Sequence, residues 1–153
     1  MREDKTFVQE TIVQAKESVR QGGFPAGAVV VKDGEIVSRG LSLGAVNNDP
    51  TGHAETDAIR KACKALETVN LEGSVLYSSM EPCLMCFSAA NWARITKIVY
   101  GCKRTRKMID NRYYEGNADN TEINQLNINK IDLVFVPDFE KEVLRIIRDW
   151  YAK

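Results

Sequence analysis

The stretch AGAVVVKDGEIVSRG, residues 26–40, leaves few choices of architecture. Two runs rich in β-branched residues meet at Asp33-Gly34, the residue pair that most readily makes a two-residue hairpin corner. Before it, Phe7, Thr11, Ile12, Ala15 and Val19 recur every three to four residues over 6–20, the stripe of an amphipathic helix that stops at Gly22-Gly23. After the punctuation Asp49-Pro50-Thr51-Gly52, the positions Ala54, Ala58, Ile59, Ala62, Cys63 and Leu66 repeat at helical spacing, which places His53 and Glu55 in a first helical turn. SVLYSS reads as a strand, Glu81-Pro82 opens the helix CLMCFSAANWAR with proline where a helix tolerates it best, and KIVYG is a further strand. Residues 102–130 are polar and rich in asparagine, a long loop or short helix over one end of the sheet. IDLVFV is a last strand, and DFEKEVLRIIRDWYAK closes the chain as a helix with Phe139, Val143, Ile146, Ile147 and Trp150 on one face. This order predicts one α/β domain over 1–153, a five-stranded mixed sheet with helices on both faces.

Lys plus Arg equals Asp plus Glu at 21 each, so the basic excess typical of nucleic-acid-binding domains is missing and a polynucleotide partner is disfavoured. No apolar run approaches the ~20 residues that a membrane helix needs. MREDKTFVQETIVQ has mixed charges and no apolar block of signal-peptide type, which makes the cytosol the expected compartment. There, four cysteines, two of them at C-x-x-C spacing, read as metal-binding or redox thiols and not as a disulfide framework.

Cys83 and Cys86 stand three apart in a first helical turn, so both sulfurs point to one side, and a helix N-terminus favours their thiolate forms. His53, the chain's one histidine, stands at another helix start. If parallel strands deliver both helix starts to one edge of the sheet, a nitrogen and two sulfurs converge. Three protein ligands make a catalytic zinc site, with a position open for water, and four a structural one. A fourth would be Cys63, two and a half turns along its helix from His53, or Cys102, and each is better placed as a small core residue. Beside a zinc-lowered water, the carboxylate of Glu55 can take a proton and return it.

HAE at 53–55 and PCLMC at 82–86 together resemble the H-x-E…P-C-x-x-C signature of the zinc nucleobase deaminases. The likeness runs over about residues 6–101. Within it, DPTGHAETDAIRKAC, VLYSSMEPCLMC and NWAR look like the branch of bacterial guanine deaminases, tRNA adenosine deaminases and fungal cytosine deaminase. The resemblance implies the three-layer α/β/α sandwich of the cytidine-deaminase-like fold, and one zinc ion per chain on His53, Cys83 and Cys86. It also implies Glu55 as the proton shuttle while hydroxide attacks an amino-bearing ring carbon and ammonia leaves. Backbone N–H groups near Ala54 or Cys83 would meet a substrate carbonyl. A homodimer is the expected assembly.

Departures from that pattern bear on the substrate. Where relatives carry an asparagine that contacts base or ribose, this chain has Ser42, with Asn47 and Asn48 nearby but shifted. Phe24 is placed to stack on a ring or to pack helix against sheet. Asp110, in Ile109-Asp110-Asn111, falls where guanine deaminases set an acidic residue near the substrate, and Tyr113 and Tyr114 are candidates for a pocket wall. Trp92, mid-helix, is expected in the core. The ending DWYAK lacks both the basic finish of tRNA-acting relatives and the proline- and aromatic-containing tail of guanine deaminases. A deaminase of a small free base or nucleoside is the leading expectation, guanine-type purines first and cytosine or cytidine next. Adenosine in tRNA, a non-catalytic zinc module and a C-x-x-C redox protein are the alternatives; Glu55 speaks against the last two.

Overall fold

Asp33 and Gly34 both take positive φ, 51° and 76°, and turn β1 (Gly27–Lys32) back on β2 (Glu35–Leu41). The register slips between Val30, opposite Ser38, and Val31, opposite Ile36, so Val37 is the extra residue of a bulge. The computed structural model describes residues 2–153. Its sheet has five strands in the order β2-β1-β3-β4-β5, with β3 at Val75–Ser78, β4 at Lys97–Tyr100 and β5 at Asp132–Phe135. Pairing is antiparallel for β1 with β2 and with β3, and parallel for β3 with β4 and β4 with β5. β2 and β3 both run against β1 and therefore in one direction. The helices that follow them, α3 (Ala54–Leu66) and α4 (Leu84–Trp92), accordingly start from the same edge.

Period-two alternation divides β1 between two cores. Ala28 and Val30 join Leu76 and Ile98 under α3 and α4, while Val29 and Val31 join Val8, Tyr77 and Val99 under α1 (Arg2–Arg20). α7 (Glu140–Tyr151), entered through a 3-10 turn at Pro137–Phe139, packs beside α1, where Lys16 pairs with Glu142 at 3.1 Å. Buried Asp4 fastens α1 to the sheet. It accepts from Tyr77 Oη at 2.7 Å and pairs with Lys97 Nζ at 3.1 Å. Burial pushes its carboxyl up, but these two partners together hold it below the ordinary value. Close approach of α3 to β2 needs Gly40, where a Cβ would lie 2.0 Å from Ala54 O and 2.6 Å from Ala58 N.

The structure differs from the sequence expectations in five places. α1 begins at Arg2, and its buried stripe is Val8, Thr11, Ile12, Ala15 and Ser18, with Phe7 and Val19 on the flanks. Leu66, at the end of α3, is exposed. The polar segment 102–130 contains α5 (Arg106–Asp110) and α6 (Asn120–Leu126), and a short α2 (Gly44–Asn47) follows β2. Trp92 is 86% exposed and not in the core. The buried side of α4 is Cys86, Phe87 and Ala90, and Trp92 lies five residues beyond Phe87, about 140° around the helix.

Candidate metal centre and cavity

His53 and Cys83 occupy equivalent places, as the N-cap residues of α3 and α4, both with extended backbone. The Thr56 hydroxyl accepts from His53 N–H at 3.1 Å and donates to His53 O at 3.0 Å, pinning the main chain that carries the imidazole. From there Nδ1 lies 3.5 Å from the sulfur of Cys83 and 3.5 Å from that of Cys86, and the three ligand atoms lie within 4.8 Å of one another. Zinc bonds of about 2.0 Å to nitrogen and 2.3 Å to sulfur at a tetrahedral angle separate the two atoms by about 3.5 Å, so the donor set fits zinc. Three donors are the number found in catalytic zinc sites, and four in structural ones. Cys102 is fully buried and Cys63 half-buried against the core, and neither belongs to the cluster. A hydrogen bond with Cys86 draws the Cys83 thiol down to about 6 against the cost of burial, and the same contact with burial pushes Cys86 up. Its hydrogen bond with Cys83 raises His53.

Glu55, in the first turn of α3, is 5% exposed, and its two oxygens have different neighbours. Ser78 Oγ donates to Oε1 at 2.7 Å, and the Cys86 thiol to Oε2 at 3.4 Å. Ser78 shares the core-facing side of β3 with Leu76 and is fully buried. A serine at a core-facing strand position was the signal in the sequence, and it went unread there.

His53, Glu55 and Cys83 border a cavity of about 570 Å³. Phe24, Ser42, Tyr113 and Tyr114 line it as well. Phe24 meets Tyr113 edge-on at 5.0 Å between ring centroids and Trp150 at 5.2 Å, so three distant parts of the chain build one aromatic wall. Tyr114 is buried and commits its hydroxyl to Glu81 O at 2.7 Å, leaving only its ring to the cavity. Two candidates are not brought to this cavity. Ala54 is fully buried, and its main-chain oxygen faces Gly40. Asp110 receives Arg106 Nε at 3.0 Å in an exposed i,i+4 pair and borders only an adjoining recess, shared with His53, Met85 and Glu115. Asn111 and Arg112 take the position in the wall expected of Asp110.

Sequence reasoning also missed Asn48, Arg112 and Trp150 as lining residues. Asn48 ends α2 in the left-handed conformation, φ 54°, which puts it rather than Asn47 at the cavity. The apolar pattern placed Trp150 on a buried helix face without showing that this face meets a pocket.

Residues 1–102 match the model of the cytidine and deoxycytidylate deaminase zinc-binding region. The chain is 46% identical over 102 residues to guanine deaminase of Bacillus subtilis, an alignment covering 66% of this chain and 65% of that protein. It is 42% identical over 101 residues to tRNA-specific adenosine deaminase of the same organism, covering 66% and 63%. The matched stretches thus span just under two thirds of these relatives. A structure solved in a study of A-to-I editing by tRNA:A34 deaminases superimposes with a TM-score of 0.80 at 30% identity, over 93% of this chain and 99% of that one.

Proposed function

This chain belongs to the family of the cytidine and deoxycytidylate deaminase zinc-binding region, and on that premise we propose that it is a hydrolytic deaminase releasing ammonia from a nucleobase or nucleoside, guanine-type purines first. One observation carries the proposal: a zinc-fitting His53-Cys83-Cys86 cluster with the buried carboxylate of Glu55 beside it, at the border of a cavity of small-ligand size. His53, Cys83 and Cys86 would hold the zinc, which would supply the nucleophile by lowering the pKa of water to about 7. The rest is the work of the protein. Ser78 occupies Oε1 of Glu55, and Cys86 as a thiolate ligand would have no proton to give Oε2, so Oε2 carries the protons. Glu55 takes one from water, delivers it to a ring nitrogen and so makes the neighbouring carbon electrophilic, then passes the second to the amine as the C–N bond breaks. Water and the amino compound become a carbonyl compound and ammonia. Phe24, Tyr113 and Trp150 offer ring faces and edges to a flat base, while Ser42, Asn48 and Asn111 offer hydrogen-bonding groups to its rim. The reducing cytosol, where four free cysteines persist, is the compartment this reading assumes.

Adenosine in tRNA is the second reading. It is favoured by the tRNA-acting relatives and by Arg112, an exposed cation at the cavity with no ion-pair partner among the described residues. An ammonia-release panel over guanine, cytosine, adenine, their nucleosides and an anticodon stem-loop separates the two. Turnover of guanine is expected; turnover of the stem-loop alone reverses the order.

The proposed assembly is a homodimer across α4. Its sequence, LMCFSAANW, has no charged residue, which fits a helix enclosed on all sides. Yet Met85, Ser88 and Ala89 are half-buried and Trp92 is exposed. Leu126 and Ile128, 83% and 98% exposed, flank this face, since Asn91 Nδ2 bonds Asn129 O at 2.8 Å.

A further inference from the structure

The polar segment 102–130 bonds the turn that carries Cys83 on both sides of that residue. Before it, Glu81 O accepts from Tyr114 Oη at 2.7 Å, and Pro82 O accepts from Asn120 Nδ2 at 2.7 Å. After it, Leu84 N–H donates to Glu115 Oε1 at 3.0 Å, and Met85 N–H to Glu115 Oε2 at 3.4 Å. Helix α4 needs this outside help. Its N-cap residue is Cys83, whose side chain makes no capping bond, and no acidic residue stands in its first turn. A serine or aspartate at an N-cap would satisfy those N–H groups locally, but a sulfur reserved for a metal cannot. Glu115 supplies the missing acceptor from 31 residues away and adds negative charge at the positive end of the helix. It is outside the set of ligand atoms, so its part is to hold the turn and not the ion.

We infer that Tyr114, Glu115 and Asn120 are positioning residues of the zinc site, a brace that sets the directions of Cys83 and Cys86 through the main chain of residues 81–85. The brace is continuous with the cavity wall, because Asn111, Arg112, Tyr113 and Tyr114 precede Glu115 directly. A ligand that pulls on this wall therefore pulls on the thiolates.

The inference depends on the zinc site and not on which substrate is turned over, so its test needs no substrate. Zinc release from the full-length loaded protein to an excess of chromogenic chelator is timed, and the thiolate charge-transfer band of the Co2+-substituted protein is recorded. Glu115→Ala is expected to release zinc about 10–100-fold faster, as loss of groups supporting metal ligands does elsewhere, and to shift the cobalt band. Glu115→Gln, which keeps one acceptor oxygen, should fall between. The control is Lys97→Ala, which removes the ion pair with Asp4 on the α1 side of the sheet and leaves the turn and its brace untouched. It should lower the melting temperature without changing release or band. If Glu115→Ala does not fold, Glu115→Gln and Tyr114→Phe carry the test. Release within twofold of the parent in the folded brace variants, or an equal acceleration in Lys97→Ala, overturns the inference.

Discussion

Cys83 has two jobs that are usually kept apart: it is the N-cap of a helix and, in the proposed site, a thiolate ligand. His53 repeats the arrangement on α3, where Thr56 provides the capping bond. Glu55, on α3, is coupled to β3 through Ser78 and to α4 through the Cys86 thiol. Separate parts for metal binding and proton transfer lead to a prediction. Glu55→Ala is expected to keep one zinc per chain and to lose turnover by at least about 10²–10⁴-fold, whereas Cys83→Ala loses metal and turnover together. Metal content by elemental analysis beside ammonia release reads both, and an active Glu55→Ala protein ends the proposed mechanism. These residues were legible because their spacing along the chain is itself the chemistry: two helix starts, each with donors in a first turn. Ser78, Asn48 and Trp150 were not, because their contacts are set by which strand and helix they happen to face.

The hairpin, α3 and α4 act as a frame for those donors, and their contact is closest at Gly40. A methyl group there has nowhere to go, since it meets the backbone of α3 and not a flexible side chain. Gly40→Ala is therefore expected to push the first turn of α3 outward, to lower stability by about 1–3 kcal/mol or more, and to leave the purified protein short of zinc. Thermal melts with metal-to-protein ratios test this; full occupancy at parental stability would show that the frame yields. Strand and helix identities were readable from period and turn residues, whereas parallel strands entered only as the condition for bringing two helix starts together, which the sheet meets through β2 and β3. The small helices α5 and α6 were not, because they are short and are held by Thr105 and Asp119 caps and by bonds to the metal-bearing turn. Burial of α4 was misjudged at Trp92 for a related reason: an apolar helix pattern says that a side is dry without saying what dries it.

For the molecule as a whole, the apolar outer face of α4 and the absence of net charge point the same way, toward contact with a like surface. Sedimentation is expected to show a dimer, and Trp92→Glu, placing two carboxylates near the symmetry axis, to shift it to monomer without loss of fold. A parent that sediments as a monomer removes the assembly from the proposal. No helix of the described residues is long and apolar enough to cross a membrane. The aromatic wall has a consequence of another kind. His53, Glu55, Cys83 and Cys86 come from a stretch of about thirty residues inside the segment that matches the family, whereas Arg112, Tyr113 and Trp150 lie beyond residue 102. Under the proposed reading, reactivity sits on one short stretch, whereas taste for a substrate is shared between that segment and the length of chain beyond it. Changes beyond residue 102 can then reshape one side of the wall against the side built by Phe24, Ser42 and Asn48, while the reacting groups stay as they are.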